Sequence, residues 1–290
     1  MRSKRSVLVS FCLLATLLAA PISISTPAPP AEAASDACGT KLVRPATSGG
    51  GYWTCTMAEH FLGSRLDPNR WTALNQTGEA DLCVVNSPRT VSVGSGKLRL
   101  SAVRTGLAVQ CPRRPDGTRG KYAGATVSSF WRWSQQYGRM EARIKVRSAT
   151  QPGLHEAFWM WPDVRYGSDR PWPASGEIDI METYSARPTL SVPFLHYSAD
   201  SLGAIDGFNT SWSCRSQRGQ WHTYVLEWTA TRLAIIVDGK TCLVNTHGAA
   251  AFRKRFIINF SQLLGGGNNL YTGRVALPAT MEVDWVKAWR

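Results

Sequence analysis

Apolar and polar residues alternate along several short segments of this chain. Residues 97–103 and 137–146 alternate cleanly, and 221–228 and 233–240 show the same pattern on either side of a short turn. Successive side chains of a β-strand point to opposite faces, so this alternation predicts half-buried strands, the last two forming a hairpin. Because no long helical period and no internal repeat stands out, the chain from residue 52 onward is predicted to be all-β, as a sandwich or jelly roll.

The most informative alternation lies in residues 176–184, where three acids alternate with bulky apolar residues. Glu177 and Asp179 fall on one face of the predicted strand. Unbroken alternation would put Met181, and not Glu182, beside them. A β-bulge with Met181 as the extra residue would turn Glu182 onto the acidic face, and bulges often lie next to active sites.

Three acids on one face predict a particular chemistry. Their mutual repulsion raises the pKa of at least one of them. Retaining glycosidases need such a difference, because they use one ionised carboxylate as nucleophile and one protonated acid roughly 5–5.5 Å away. Solvated acids on an exposed strand, or a cation site, are the alternatives, and the aromatic residues that flank the segment favour catalysis.

The same stretch resembles the signature of glycoside hydrolase family 16, in the bulged Glu-x-Asp-x-x-Glu form of its laminarinase-like members. The resemblance implies that Glu177 is the nucleophile, that Asp179 orients and tunes it, and that Glu182 is the general acid/base. It also implies the family's fold, a concanavalin A-like β-jelly-roll sandwich of two antiparallel sheets with a concave substrate cleft. Further similar segments lie at 137–146, 153–162, 172–176, 194–197 and 277–289.

Three aromatic residues are candidates for the cleft on the same resemblance. Trp159 would form the floor of the sugar subsite beside the bond cleaved, and Trp172 is a similar candidate, since a flat apolar ring suits stacking on a sugar. His196 lies on a strand whose histidine is near the acid/base in the family, so it is expected to hydrogen-bond Glu182. Core packing of the tryptophans and an ordinary polar role for the histidine are the alternatives.

Two segments depart from the family's pattern. His155 stands where many laminarinase-like members carry tryptophan, and Glu156 follows where they carry proline. Gln262 lies in a segment where the family more often shows an Asn-Leu-Ala-Val-Gly-Gly run, and it is expected to line the other half of the cleft. We therefore expect His155 and Gln262 to contact substrate, and the family's substrate preference does not transfer directly.

No cofactor is expected for catalysis, because the histidines are dispersed along the chain. A structural calcium is expected separately, since family members of this type often hold one on the convex face, with an acid from the last strand among its oxygen ligands. Asp284 matches that place. An ordinary aspartate near the end of a strand is the alternative.

The start of the chain predicts export. A basic beginning precedes an apolar run at 7–20, and the small-x-small pattern of a signal-peptidase site follows at 31–33. A membrane anchor is the alternative. The mature chain is expected to be secreted, monomeric and free of membrane spans. The predicted division is a signal peptide at 1–33, an N-terminal extension at 34–51 and a catalytic domain at 52–290.

Six cysteines remain beyond the predicted signal peptide, with no CxxC pair of the kind that binds metal. An oxidising compartment would let them form three disulfides. Six cysteines allow 15 pairings. Proximity in the sequence suggests Cys38–Cys55, Cys83–Cys111 and Cys214–Cys242.

The formal charge of +13 is compatible with nucleic acid binding. Lysine and arginine are scattered, however, with no block of five like charges, so we expect a polysaccharide partner and no nucleic acid. The chain is therefore expected to be a secreted retaining endo-β-glucanase that hydrolyses β-1,3-glucan by double displacement. Mixed-linkage glucan or galactan as substrate, transglycosylation, and a catalytically silent carbohydrate-binding protein of the same fold stay open.

Overall fold

The computed structural model describes residues 38–39, 52–78, 81–167, 170–198 and 203–290. These residues all belong to one compact unit. The predicted signal peptide and most of the predicted extension lie outside the described residues, so the division at those boundaries stays a prediction. In the described ranges, no helix is long and apolar enough to cross a membrane.

Short strands make up nearly all the regular secondary structure of the described chain, and its only helical elements are 3₁₀ turns at Val164–Tyr166, Ala250–Phe252 and Gly267–Asn269. The strands are β1 Cys55–Glu59, β2 Thr72–Ala73, β3 Leu82–Val84, β4 Val91–Gly94, β5 Lys97–Arg104, β6 Tyr122–Ser128, β7 Gly138–Lys145, β8 Leu154–Pro162, β9 Glu177–Tyr184, β10 Phe194–His196, β11 Trp221–Trp228, β12 Leu233–Val237, β13 Lys240–Asn245, β14 Phe256–Leu264 and β15 Ala279–Trp289.

The predicted alternation is confirmed where it is cleanest. Buried and half-buried residues alternate along the whole of β7 and through most of β5. β11 and β12 form the predicted antiparallel hairpin, with Tyr224 opposite Val237 and Trp228 opposite Leu233. The predicted segment 233–240 ends earlier than expected, because the chain turns after Val237 and continues as β13.

The strands form two layers. The hydrogen-bonded order is β10-β9-β8-β14-β6-β5-β15-β7-β11-β12-β13, and β6 and β5 pair over only two residues, where one layer passes into the other. The described pairings are antiparallel except that of β3 with β6, which is parallel. The chain is therefore an all-β jelly roll, as predicted.

One apolar core joins the two layers. Leu98 and Ile144 from one layer lie in the same buried cluster as Phe158, Ile178 and Phe260 from the other. Burying each such side chain contributes about 1.5–3 kcal/mol. Because β8, β9 and β14 each turn one face into this cluster, their opposite faces are held in fixed positions for a site.

The three suggested disulfides are present. Cys38–Cys55, Cys83–Cys111 and Cys214–Cys242 are bonded, with Cα separations of 5.9, 5.7 and 5.1 Å. The first ties residue 38 to strand β1, the second ties β3 to the segment before β6, and the third ties β13 to the segment before β11. Bridges of this kind are typical of oxidising compartments.

Candidate active site

The acidic strand β9 carries the predicted bulge, one position away from where the alternation placed it. Asp179 lies opposite Trp159 of β8, and Met181 lies opposite Phe158, so the register skips one residue. That residue is Ile180, and the prediction that Met181 is the extra residue is therefore wrong. The reason is packing, since Ile180 and Met181 both bury their side chains completely in the core.

The bulge brings the three acids together. Asp179 is buried, whereas Glu177 and Glu182 are half-buried, and the charge of Glu182 acts on the pKa of each of the other two. One carboxylate oxygen from each of Glu177 and Asp179 and one ring nitrogen of His196 lie within 4.8 Å of one another. The roles of these acids stay predictions, but their common position is what those roles require.

Glu177 lies at the start of β9, against a neutral donor. The indole Nε1 of Trp172 donates a hydrogen bond of 2.6 Å to its Oε2. Burial raises the pKa of Glu177 to about 7; the bond from Trp172 opposes this rise, and the charge of Glu182 adds to it. Its raised pKa therefore lets this carboxyl group gain or lose a proton near neutral pH. Trp172 itself is 45% exposed, at the surface beside the acids.

Asp179 is the most strongly perturbed of the three acids. Burial raises its pKa well above the usual range, and the charges of Glu182 and Glu177 raise it further. The Nε2 of His196 lies 3.4 Å from its Oδ2. Because its raised pKa favours the neutral form, Asp179 adds less repulsion between the two glutamates than an ionised carboxylate would.

Glu182 has a charged partner. Its Oε1 lies 2.8 Å from the Nε2 of His155, whose ring stacks on Tyr184 at 4.8 Å. Burial favours the neutral form of Glu182, yet the bond and the charge of His155, together with a hydrogen bond from Tyr184 and the charge of His196, outweigh burial and lower its pKa. Burial likewise opposes the charge on His155, but Glu182 raises the pKa of the imidazole. These opposite shifts favour an imidazolium–carboxylate pair.

This pair adds a contact that the sequence did not predict. His196 was expected to hydrogen-bond Glu182; the structure shows His155 bonded to Glu182 and His196 beside Asp179, with the charge of His196 also lowering the pKa of Glu182. The expected substrate contact of His155 and the expected role of His196 stay predictions. The contact of His155 follows from the register of β8 and β9, which places His155 opposite Tyr184, on the side of the bulge where Glu182 lies.

A buried ion pair lies next to His155 in the sequence. The guanidinium of Arg218 contacts both carboxylate oxygens of Glu156 at 2.7 Å, and the Thr183 hydroxyl donates to the same carboxylate at 2.8 Å. The Gln262 Nε2 donates to it at 3.2 Å. Gln262 is completely buried, so its predicted place in the cleft lining is wrong. Its amide completes the shell of a buried carboxylate, which needs such partners.

A cavity adjoins the acids on the side of β8 and β14. It holds about 310 Å³ and is lined by Trp159, Trp161, Phe130 and Asn259, among others. The Nε1 of Trp159 donates to Ser261 at 3.0 Å, which fixes the indole in place. Trp159 lies opposite Asp179 in the pairing of β8 with β9 and opposite Asn259 in that of β8 with β14.

Two residues of this cavity were missed by the sequence analysis. The side-chain Nδ2 of Asn259 has no hydrogen-bond partner among the described residues, although Asn259 is only 2% exposed. Buried polar groups are normally paired, so this amide suits a ligand hydroxyl. Trp161 follows Trp159 by two positions, so strand alternation placed it on the same face, and that signal could have found it.

The predicted calcium ligand does not fit a cation. The carboxylate of Asp284 forms an ion pair with Arg143, with its Oδ2 2.5 Å from the guanidinium. A guanidinium beside the carboxylate repels a second cation, and Ca²⁺ needs six to eight oxygen ligands. The contacts of Asp284 therefore give no support to the expected structural calcium.

Comparisons with known proteins agree with the site. The family model described as glycosyl hydrolases family 16 matches residues 79–287. Glucan endo-1,3-beta-glucosidase A1 of Niallia circulans is 28% identical, over 93% of this chain and 40% of that protein. Glucan endo-1,3-beta-glucosidase of Cryptopygus antarcticus is 27% identical, over 82% of this chain and 93% of that protein.

The fold is also found in a solved structure. The catalytic domain of an endo-1,3-beta-glucanase (laminarinase) from Thermotoga petrophila RKU-1 superposes with a TM-score of 0.69 at 22% identity, over 82% of this chain and 98% of that one. The present chain spans less than half the length of the Niallia circulans relative. The family model covers well over half of the chain and includes the three acids, so the chain belongs to the glycosyl hydrolases of family 16.

Proposed function

We propose that this chain is a secreted, retaining endo-β-glucanase that hydrolyses β-1,3-glucan. The observation that carries the proposal is the bulged strand β9, which sets Glu177, Asp179 and Glu182 beside a cavity walled by tryptophans. The relatives named as glucan endo-1,3-beta-glucosidases support the substrate. The three disulfides support secretion.

The reaction proceeds in two displacements at the anomeric carbon. Glu177 attacks that carbon and forms a covalent glycosyl-enzyme, while Glu182 protonates the leaving oxygen. Glu182 then takes a proton from water, which attacks the intermediate and restores the original configuration. Trp172 orients the Glu177 carboxylate through its indole N–H, and Asp179, whose raised pKa favours its neutral form, limits the repulsion between the two glutamates.

The proton for the first step is held by His155. In the free enzyme the raised pKa of His155 and the lowered pKa of Glu182 favour one proton on the pair, held by the imidazole. Moving it across the 2.8 Å contact from Nε2 to Oε1 leaves a neutral histidine and the protonated acid that the leaving group needs. Glu177, with a pKa of about 7, is ionised in a large fraction of molecules at neutral pH.

One observation favours a second candidate, in which the two glutamates exchange roles. The pKa of Glu177 is raised and that of Glu182 is lowered in the free enzyme. Environments that separate two pKa values in this way often mark the acid and the nucleophile directly. Glu177 would then be the acid and Glu182 the nucleophile, and azide rescue of the two variants distinguishes the assignments.

A substrate panel tests the proposal. The purified enzyme is incubated with laminarin, lichenan, agarose and carrageenan, and reducing ends are measured over time, with Glu177→Gln as the inactive control. We expect release from laminarin, and proton NMR should detect the β-anomer first. Activity on another polymer alone would change the substrate, an α-anomer first would exclude retention, and binding to laminarin without release would indicate a carbohydrate-binding protein. A mature N-terminus near Ala34 would confirm the signal peptide.

A further inference from the structure

Exposed aromatic residues lie beside the cavity, outside the site described above. Trp131 is 57% exposed and Tyr166 is 58% exposed. Trp131 packs edge-on against Phe130, with ring centroids 5.6 Å apart, and Phe130 lines the cavity together with Trp159 and Trp161. The aromatic surface of the cavity therefore continues to the outside through Phe130.

Two arginines stack on these exposed rings. The guanidinium of Arg165 lies 5.5 Å from the ring of Trp131 and 5.7 Å from that of Tyr166, and Arg255 lies 5.0 Å from Tyr166. We call Trp131, Arg165, Tyr166 and Arg255 the aromatic rim. Alternating aromatic rings and guanidinium groups combine apolar faces with hydrogen-bond donors.

The rim is held in place from below. Asp163 is buried and accepts hydrogen bonds from the Nε and Nη2 of Arg165 at 2.9 and 2.7 Å. The Nη1 of Arg165 donates to the Trp131 carbonyl at 3.2 Å. Arg255 is anchored through its Nε, which donates to the Ser134 hydroxyl at 3.0 Å. Fixed side chains lose little further freedom when a ligand binds, so this arrangement suits binding.

The backbone at Trp131 is strained. Its φ of 62° lies in the left-handed region, which bulky residues rarely occupy. The N–H groups of the next two residues, Arg132 and Trp133, both donate to the Ser129 carbonyl, and the Ser129 hydroxyl donates to the Trp133 carbonyl, so the turn is locked. Strain that leaves a large apolar ring exposed costs stability, and such strain is concentrated at sites that contact ligands.

We propose that the aromatic rim is a further sugar-binding subsite, which binds the part of a polysaccharide chain that extends beyond the cavity. The occupant follows from continuity, since a chain seated against Trp159 and Trp161 reaches the rim across Phe130. Sugar rings would stack on the indole of Trp131, and sugar hydroxyls would accept hydrogen bonds from the guanidinium groups. The inference rests on the proposed function and adds that the enzyme prefers polymers to short substrates.

Two substrates of different length test the rim. The variants are Trp131→Ala and the double variant Trp131→Ala/Tyr166→Ala, and kcat/KM is measured on laminarin and on an aryl β-laminaribioside. We expect the ratio of kcat/KM on laminarin to that on the short glycoside to fall about tenfold in the double variant, in line with the loss of two stacking contacts. Circular dichroism spectra and Tm of the variants show whether they are folded.

Trp221→Ala is the matched control. Its indole also lies under a guanidinium, that of Arg143 at 4.7 Å, but Arg143 projects from the outward face of β7 in the other layer. The control should leave the ratio unchanged. An unchanged ratio in the rim variants, or an equal loss on both substrates, would overturn the proposal. An equal fall in the Trp221 control would overturn it too.

A binding measurement separates this inference from the proposed function. Laminarin binding is measured by affinity electrophoresis with Glu177→Gln, with and without Trp131→Ala. If the wild type hydrolyses no laminarin but binding weakens when Trp131 is replaced, the proposed function fails and the rim stands. If hydrolysis is present but binding and the kinetic ratio are both unaffected by Trp131, the rim fails and the function stands.

Discussion

The two glutamates of strand β9 differ in their partners far more than in their burial. Burial is the largest influence on both and favours the neutral form of each. Glu177 accepts a hydrogen bond from an indole, which carries no charge, and its pKa remains raised, at about 7. Glu182 faces an imidazole, which can carry a proton, and its pKa is lowered. The ionisable partner therefore accounts for the opposite directions of the two pKa shifts.

The bulge produces this difference. Without a bulge, successive residues of β9 would pair with successive residues of β8. Because the register skips Ile180, the pairing of β9 with β8 shifts by one residue at a point between Glu177 and Glu182. Glu177 is left beside β10, opposite His196, whereas Glu182 is carried to the end of β8 that bears His155. One strand thus presents two carboxylates in two electrostatic environments.

The largest expected effect comes from removing either glutamate. Glu177→Gln and Glu182→Gln should each lower the rate on laminarin by at least about 10³-fold, since general acid catalysis alone contributes 10²–10⁴. With azide and an activated aryl glycoside, activity should return in each variant. We expect an inverted glycosyl azide from Glu177→Gln and a retained one from Glu182→Gln, measured by proton NMR.

The configuration of the azide product decides between the two assignments. Azide takes the place of a missing nucleophile and inverts the centre, whereas it attacks a glycosyl-enzyme when only the acid/base is missing and gives retention. A retained product from Glu177→Gln with an inverted one from Glu182→Gln would establish the reverse roles. The raised pKa of Glu177 in the free enzyme would then mark the acid, and the lowered pKa of Glu182 would mark the nucleophile.

The next largest effect concerns the buried ion pair between Arg218 and Glu156, which lies next to His155 in the sequence. Arg218→Met leaves the Glu156 carboxylate buried without its guanidinium partner, and we expect a loss of about 3–5 kcal/mol in the free energy of unfolding. Arg143→Met is the matched control, because its partner Asp284 is partly exposed and such pairs contribute about 0–1 kcal/mol. Urea unfolding of both variants measures the difference. Similar losses in the two would show that the buried pair gives no special support.

Sequence and structure agree where a signal is local. Strand alternation predicted β5 and β7, and it placed Glu177 and Asp179 on one face, because period two depends only on neighbouring residues. Proximity in the sequence suggested the disulfides, which close loops of 17 to 28 residues. Resemblance to family 16 supplied the fold, which alternation alone left as sandwich or jelly roll.

The misplaced residues depend on contacts between distant segments. Arg218 reaches Glu156 from 62 positions away, and nothing near Glu156 in the sequence indicates that partner. Gln262 was assigned to the cleft, and its burial follows from that same carboxylate. The contacts of His155 with Glu182 and of His196 with Asp179 depend on the register of three strands around a bulge, which a shift of one residue would change.

A smaller effect should appear in the pH profile when His155 is replaced. The proton of the His155–Glu182 pair can bind either the imidazole or the carboxyl group, and His155→Gln leaves only the carboxyl group. The proton is then lost at lower pH, so the basic limb of kcat/KM should move down by on the order of one unit. Tyr184, His196, Glu156 and Arg218 all act electrostatically on this pair.

The control for this shift is a histidine of the other layer. His222 pairs with Asp238 at 2.6 Å on β11, and His222→Gln should leave both limbs in place. Titration of His155 by NMR gives a readout without substrate, and its pKa should fall when Glu182→Gln removes the carboxylate. The proposal that His155 holds the proton would be contradicted if the basic limb of kcat/KM did not move in His155→Gln and the pKa of His155 did not change in Glu182→Gln.

The smallest effect concerns Glu177 and its hydrogen bond from Trp172. The bond from Trp172 stabilises ionised Glu177 and lowers its pKa against the effect of burial. Trp172→Phe keeps a ring but loses the N–H, so this substitution should raise the pKa of Glu177 above about 7. Because the nucleophile must be ionised, the acidic limb of kcat/KM should move to higher pH, by about half a unit, since Trp172 is partly exposed and water replaces part of the bond. Trp221→Phe is the control and should leave the limb unchanged. His155→Gln and Trp172→Phe would then narrow the active pH range from opposite ends, and an acidic limb that stays or falls in Trp172→Phe would show that the indole does not set the charge of Glu177.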